Sequence, residues 1–167
     1  MLEKNIQRHI DTLTQRYPAL EVNSKDIAEA YLILEESYQN GGKLLIAGNG
    51  GSAADAEHIV GELMKGFKSS RKIEKKFEQA LLNENQELGN VLAENLQGAL
   101  PAIALDGHLA LSTAYMNDCE PLLCFAQQVN GYGRQGDVFL GISTSGNSKN
   151  VLLSLIHISE PTRLRCI

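Results

Sequence analysis

The sequence predicts an α/β fold in which helices flank a parallel sheet of about three strands. Short apolar runs occur at residues 43–47, 102–105 and 138–142, and each is followed by a turn or a small-residue loop and then by a helical segment. Such units in series give parallel strands, because the intervening helix returns the chain to the same end of the sheet. Ligands bind at the carboxyl ends of such strands.

Helices are expected before and after each strand. Apolar residues recur at helical spacing over 25–39, and Gly41-Gly42 ends that helix. A helix is predicted to begin at Ser52, which forms a capping-box spacing with Asp55. The remaining predicted helices span residues 3–16, 108–116 and 120–129, and one more begins near Asn147.

The stretch Lys68–Gln97 separates the first two strands by more than a minimal crossover requires. It is rich in Lys, Glu, Asn and Gln, and its apolar residues are spaced as on one face of a helix. We therefore predict a single long helix here. Its apolar stripe would pack on the domain or, alternatively, on another subunit.

Composition and charge limit the function classes. With 43% hydrophobic and 21% charged residues, the 167-residue chain is expected to form one globular domain. The net charge of -5 argues against a nucleic-acid partner or a membrane surface, and no apolar run has membrane-spanning length. The three cysteines lack metal-ligand spacing, and the N-terminus lacks a signal-like apolar segment. We expect a cytoplasmic protein.

The first of two small-residue loops follows the first predicted strand. Its residues Gly48, Gly50 and Gly51 let a ligand approach the backbone, and Asn49 and Ser52 can hydrogen-bond hydroxyl or phosphate groups. The loop has neither the G-x-G-x-x-G pattern nor the lysine of a P-loop. This argues against a dinucleotide or a nucleoside triphosphate as the ligand.

The second loop places four hydroxyl groups at one helix start. They belong to Ser143, Thr144, Ser145 and Ser148. A plain turn needs one or two such residues, so the number favours binding of an anion at the positive end of the helix. Two loops of this kind at one edge of a sheet predict a phosphorylated small molecule as the ligand.

His58 and Glu62 lie four residues apart on the helix after the first loop and therefore share a face. The pair could bind a divalent metal, act in proton transfer, or be an ordinary surface contact. A carboxylate beside a phosphosugar suits enediol chemistry, in which a base moves a proton between adjacent carbons.

Together these motifs resemble the sugar isomerase (SIS) domain family and, within it, the phosphoheptose isomerases. The matching stretches are 47–62 (AGNGGSAADAEHIVGE) and 136–150 (GDVFLGISTSGNSKN), while 101–106 (PAIALD) and Asn117-Asp118 match more loosely. The resemblance covers residues 1–152 apart from 68–97. It implies a Rossmann-like three-layer sandwich, an intramolecular oxidoreductase activity, and a homotetramer with sites between subunits.

The resemblance also implies a role for each motif residue. The sugar phosphate would be held by the side chains of Ser52, Ser143, Ser145 and Ser148 with the amide of Thr144. Asn49 and Asp106 would contact sugar hydroxyls, with Gly50 and Gly51 also at the substrate. Glu62 would be the general base, and His58 with Glu62 would bind zinc. The reaction would convert D-sedoheptulose 7-phosphate to D-glycero-D-manno-heptose 7-phosphate, a precursor for lipopolysaccharide or capsule.

Residues 156–167 do not fit this pattern. Pro161 is incompatible with a long final helix, so we expect the SIS domain to span 1–155 and a non-native tail to follow. Within the domain, N-terminal helices would occupy 1–40 and a helical insert 68–97. The family supplies a Gln and a second His from a later helix, so the 167-residue chain by itself is expected to be inactive. Turnover of sedoheptulose 7-phosphate by this chain would contradict that expectation.

Two alternative functions stay open. A non-catalytic SIS protein would bind a sugar phosphate as a regulator, or act as a DnaA-associating assembly factor, and it is not expected to keep Glu62. Another SIS isomerase would act on hexose or pentose phosphates, against which the pair of His58 and Glu62 argues.

Overall fold

The computed structural model describes residues 3–158 and 165–166. The helices are α1 (Lys4–Arg16), α2 (Ser24–Gln39), α3 (Gly51–Met64), α4 (Lys75–Glu84), α5 (Gln86–Asn95), α6 (Leu109–Asp118), α7 (Cys124–Tyr132) and α8 (Lys149–Ile158). The strands are β1 (Leu44–Ala47), β2 (Ala102–Ala104), β3 (Val138–Gly141) and β4 (Arg165–Cys166). Short 3₁₀ segments occupy Pro18–Asn23, Leu105–Gly107 and Pro121–Leu123.

The strands form one parallel sheet in the order β2-β1-β3-β4. Leu44 lies opposite Ala102 in β2 and opposite Val138 in β3, so the three longer strands start level with one another. Their carboxyl ends therefore meet at one edge of the sheet. The predicted parallel α/β fold is confirmed.

β1 is buried along its whole length because strands lie on both sides of it and helices cover both faces of the sheet. On one face, Leu45 lies in a cluster with Val129 of α7 and Val151 of α8. On the other face, Leu44 lies in a cluster with Ala56 of α3. The sheet is thus the middle of three layers, with β1 at its centre.

The prediction of one long helix over Lys68–Gln97 is wrong. Two helices, α4 and α5, meet at Asn85, whose backbone is extended (φ -156°, ψ 117°) and whose side chain accepts a hydrogen bond from the amide of Leu88. Asparagine competes for backbone groups in this way and so begins a new helix. Gly89 of α5 then lies so close to the backbone of Leu81 that a Cβ would not fit between the two helices.

The predicted capping role of Ser52 is also wrong. α3 begins one residue earlier, and its N-cap is Gly50 with φ +59°, a conformation that favours glycine. Ser52 lies inside the first turn, where it is buried, and no side chain caps the helix. The backbone conformation of Gly50 therefore sets the start of α3, and no polar side chain is used as a cap.

The last helix continues through Ile158, past the expected domain end near Leu155, and β4 lies within the predicted tail. Residues 159–164 and 167, which include Pro161, lie outside the described residues, as do Met1 and Leu2. The non-native origin of 156–167 stays a prediction. Across the described part of the chain, no helix has both the length and the apolar character needed to cross a bilayer.

Candidate functional site

The loop between β1 and α3 is tightly wound against the start of the helix. A Cβ on Gly48 would lie 2.5 Å from the carbonyl oxygen of Ser52 and 2.7 Å from its Cβ, so no side chain fits there. The amide of Ser52 donates to the carbonyl of Asn49, and the amide of Ala53 donates to that of Gly50, each at 3.1 Å. This arrangement brings the positive end of α3 to the carboxyl edge of the sheet.

The loop after β3 gathers serine hydroxyls. The Oγ of Ser143 lies 3.0 Å from the Oγ of Ser148 and 3.5 Å from that of Ser145. The Oγ of Ser145 also accepts from the amide of Asn147 at 3.2 Å. Three of the predicted phosphate-binding side chains therefore lie together just before α8, while Thr144 is exposed beside them. Hydroxyls and a helix start in this arrangement can bind an anion.

A pair of asparagines joins the two loops. Asn49 and Asn150 exchange hydrogen bonds through their side-chain amides, with both N···O distances at 2.9 Å. Asn150 stands at the start of α8, next to the serine loop, and was not predicted as a site residue. The two residues lie 101 positions apart, and only the parallel pairing of β1 with β3 brings them together.

A cavity of about 240 Å³ opens beside this asparagine pair. Gly48, Asn49, Gly50, Asp106 and Asn150 line it from the strand ends. The opposite wall comes from α6, α7 and the segment between them, and consists of Ser112, Met116, Pro121, Cys124 and Phe125. The cavity thus has one polar and one largely apolar wall, which suits a small polar ligand with a carbon skeleton.

Asp106 lines this cavity, and its carboxylate is buried. Both of its side-chain oxygens are buried without a hydrogen-bond partner, as is the hydroxyl of Ser112. Burial raises the pKa of Asp106, and the charge of Glu57 adds to that increase, while the backbone amides of Asp106 and Gly48 act in the opposite direction. Buried polar groups without partners are costly, and in native proteins some of them have a catalytic role.

His58 and Glu62 lie on α3 but do not line the cavity. His58 is exposed, and one carboxylate oxygen of Glu62 accepts from the Nζ of Lys65 at 3.1 Å. The other oxygen of Glu62 is buried without a partner. The structure therefore does not bring this predicted catalytic pair together with Asn49 and Asp106 in one cavity.

Zinc sites use three or four protein donors. The described residues contain no cluster of three or more His, Cys, Asp or Glu side chains that could hold a metal ion. His58 and Glu62 supply two donors at most, so the described part of one chain does not by itself fit zinc.

Residues 8–99 match the family model described as the SIS domain, which is more than half of the chain. The chain belongs to the SIS-domain family. This confirms the resemblance seen in the two loop motifs, and it agrees with the parallel sheet and with the loops at its carboxyl edge.

Within the SIS-domain family, the chain is similar to phosphoheptose isomerases. It is 39% identical to that of Thermodesulfovibrio yellowstonii over 86% of this chain and 56% of the relative. It is 36% identical to that of Nitratiruptor sp. over 92% of this chain and 67% of the relative. The solved structure of phosphoheptose isomerase GmhA from Neisseria gonorrhoeae matches 99% of this chain and 73% of its own, with a TM-score of 0.67 and 28% identity. The chain thus spans between about half and three quarters of each of these proteins.

Proposed function

We propose that this SIS domain belongs to a sugar-phosphate aldose–ketose isomerase that converts D-sedoheptulose 7-phosphate to D-glycero-D-manno-heptose 7-phosphate. The observation that carries the proposal is the bonding of Asn49 to Asn150, which joins the glycine loop and the serine loop at one edge of the sheet beside Asp106. The curated relatives named above are phosphoheptose isomerases, which supports the same substrate.

The serine loop is the proposed phosphate site. Ser143, Ser145 and Ser148, with the amide of Thr144, would bind the phosphate at the start of α8, and Ser52 would contribute from α3. Because this loop adjoins Asn150, the sugar would extend from it towards Asn49 and Asp106. Gly50 and Gly51 would let the sugar approach the backbone.

Glu62 is the proposed general base. Isomerisation requires a base that removes a proton from the carbon next to the carbonyl group and returns it to the neighbouring carbon. The buried Glu62 oxygen without a partner is free to accept that proton. No step is assigned to zinc, because the described residues do not supply enough donors for it. The proposal includes a cytoplasmic homo-oligomer, a tetramer by resemblance to the family, that supplies heptose precursors for lipopolysaccharide or capsule.

The test is proton exchange during turnover, measured on protein expressed from its complete gene. With sedoheptulose 7-phosphate in D₂O, the sugar phosphate is expected to gain one deuteron, read by mass spectrometry. Glu62→Gln should slow this exchange by roughly 10²–10⁴-fold, the usual contribution of a general base. Asp55→Asn, at an exposed position on the same helix, is the matched control and should exchange normally. Unchanged exchange in Glu62→Gln would remove Glu62 from this role.

A non-catalytic sugar-phosphate-binding SIS protein is the second candidate. It is favoured by one observation, that His58 and Glu62 do not line the cavity that Asn49 and Asp106 share. A rise in melting temperature with sedoheptulose 7-phosphate, together with no deuterium incorporation, would support this candidate over the isomerase.

A further inference from the structure

Gln128 of α7 is a polar residue in the apolar core. It is only 2% exposed, and its helix neighbours Phe125 and Val129 belong to the buried cluster that also contains Leu105. Its Oε1 is buried and has no hydrogen-bond partner among the described residues. A buried amide that is only partly hydrogen-bonded is costly, so packing alone would favour an apolar side chain of similar size. Packing therefore does not account for a glutamine at this position.

The amide nitrogen of Gln128 holds the segment that follows β2. Its Nε2 donates to the carbonyl of Leu105 at 2.8 Å, and it also lies 3.4 Å from the carbonyl of Cys124, one turn earlier in α7. Because a carbonyl oxygen only accepts hydrogen bonds, the NH₂ group of Gln128 and not its oxygen must face Leu105. Leu105 directly follows β2 and begins the 3₁₀ segment Leu105–Gly107. Gln128 thus joins α7 to the segment that carries Asp106.

The carbonyl that Gln128 holds belongs to the same peptide unit as the amide of Asp106. Because a peptide unit is planar and trans, its C=O and N–H point in opposite directions and cannot turn independently. Burial raises the pKa of Asp106, and its own backbone amide is the strongest of the influences that lower that pKa. The hydrogen bond that fixes the Leu105 carbonyl therefore also fixes an amide that favours the charged form of Asp106.

We infer that Gln128 is a positioning residue, which holds the Leu105–Asp106 peptide and thereby orients the Asp106 carboxylate at the cavity. Asp106, Cys124 and Phe125 line the cavity, whereas Gln128 is not among its lining residues. Gln128 therefore acts on a ligand only through Asp106. The part of the inference that concerns a bound sugar rests on the proposed function, but the contact between Gln128 and the peptide does not depend on any ligand.

The first test compares the Asp106 carboxyl group in the wild type and in Gln128→Met without ligand. Methionine is similar in size and removes the donor, so α7 no longer holds the peptide. The amide of Asp106 should then act less on the carboxylate, and the pKa of Asp106 should rise further. Glu57 and the amide of Gly48, which act on the same carboxylate, are unchanged in the variant. Carbon-13 NMR titration of aspartate-labelled protein from the complete gene measures this pKa, and Asp106→Asn assigns the signal.

Gln127→Met is the matched control, because Gln127 is an exposed residue of the same helix. It should leave the pKa of Asp106 unchanged. If Gln128→Met does not fold, Gln128→Asn replaces it, because its amide is shorter by a methylene group and breaks the same hydrogen bond. The same rise in pKa is expected. An unchanged or lower pKa of Asp106 in the folded variant would overturn the inference.

The second test asks whether Gln128 acts on a ligand through Asp106. In a Glu62→Gln background, in which turnover is expected to be slow, Gln128→Met should weaken the binding of sedoheptulose 7-phosphate by at least about threefold in calorimetry. The same substitution should not change this affinity once Asp106 is replaced by alanine, because the group that it positions is gone. An equal loss with and without Asp106 would indicate a general structural effect and would overturn the inference. If the wild type does not bind the sugar at all, the proposed function fails, while the pKa of Asp106 still decides the role of Gln128.

Discussion

Asp106 is a candidate ligand-binding residue that lowers the stability of the ligand-free protein. Its carboxylate is buried, and the nearby backbone amides of Asp106 and Gly48 offset only part of its lost hydration. The buried hydroxyl of Ser112 has no hydrogen-bond partner. Desolvation favours the protonated form of Asp106, which is why the pKa is raised. Hydroxyl groups of a bound sugar could donate to these oxygens and remove the penalty. The free energy that the folded protein loses here is therefore available for ligand recognition.

Asp106→Asn is expected to stabilise the ligand-free protein at pH 7 by about 1 kcal/mol, because it removes a buried charge whose lost hydration the nearby amides only partly offset. The folded state holds this proton more tightly than the unfolded chain, where aspartate has its ordinary pKa of 3.8. The penalty is thus present above the folded pKa and disappears as the pH falls through that value towards 3.8. Melting temperatures of variant and wild type should therefore converge on acidification.

The ligand response of Asp106→Asn provides the control for this prediction. If the serine loop is the phosphate site, as proposed, the variant should lose much of the melting shift expected with sedoheptulose 7-phosphate. It should keep the smaller shift expected with inorganic phosphate. A variant that melts lower than the wild type at pH 7, or a difference that does not depend on pH, would contradict the account.

At the scale of elements, the site depends on how each strand passes into its helix. The two loops that connect a strand to a helix could be predicted from the sequence, because each is a local pattern. A buried strand is followed by Gly48–Ser52 in one case and by Ser143–Ser148 in the other. The bond between Asn49 and Asn150 could not be predicted, since no local signal relates residues 101 positions apart. The same limit applies to Ser112, whose burial depends on how α6 packs.

The two wrong predictions at this scale have local physical causes. Capping-box spacing suggested Ser52 as a cap, but Gly50 can adopt the positive φ that starts the helix one residue earlier. Helical periodicity suggested one helix over Lys68–Gln97, because apolar spacing continues smoothly across Asn85. Periodicity reports which face is apolar and does not detect a single extended residue between two helices.

Gly48→Ala tests the tight passage from β1 into α3. The new Cβ would lie 2.5 Å from the carbonyl oxygen of Ser52, so the loop must shift, at a cost of about 1–3 kcal/mol. Gly51→Ala is the matched control, because nothing lies within 4 Å of a Cβ at that position. Chemical denaturation should show a clearly lower free energy of unfolding for Gly48→Ala. For Gly51→Ala, the free energy of unfolding should change by no more than about 0.5 kcal/mol. Equal effects of the two variants would contradict this explanation of the loop.

At the scale of the whole molecule, the two ends of the sheet differ in chemistry. The carboxyl ends of the strands carry the serine loop, the asparagine pair and Asp106. The amino ends carry a network of hydrogen bonds that includes Ser37, Lys43 and Asp137. The Oγ of Ser37 in α2 donates to the carbonyl of Gly136 at 2.6 Å, next to the start of β3. These hydrogen bonds tie α2 and the starts of β1 and β3 together at the end of the sheet opposite to the candidate site.

Asp137 makes three of the hydrogen bonds at the amino ends of the strands. Its buried carboxylate accepts from the amide of Lys43 at 2.9 Å, from the Nζ of the same lysine at 2.5 Å and from the amide of Arg134 at 2.7 Å. It therefore joins the starts of β1 and β3. Asp137→Ala leaves two backbone amides and a half-buried ammonium without their acceptor, and should cost about 3 kcal/mol of unfolding free energy.

Urea denaturation measures this cost as a lower midpoint with an unchanged slope. Asp137→Asn keeps one acceptor oxygen for a backbone amide and should lose less, whereas Glu29→Ala, at an exposed position in α2, should change stability by no more than about 0.5 kcal/mol. Because the network lies at the opposite end of the sheet from the serine loop, the melting shift caused by inorganic phosphate should persist in Asp137→Asn. Loss of that shift in a variant that remains folded would show that the two ends of the sheet are not independent.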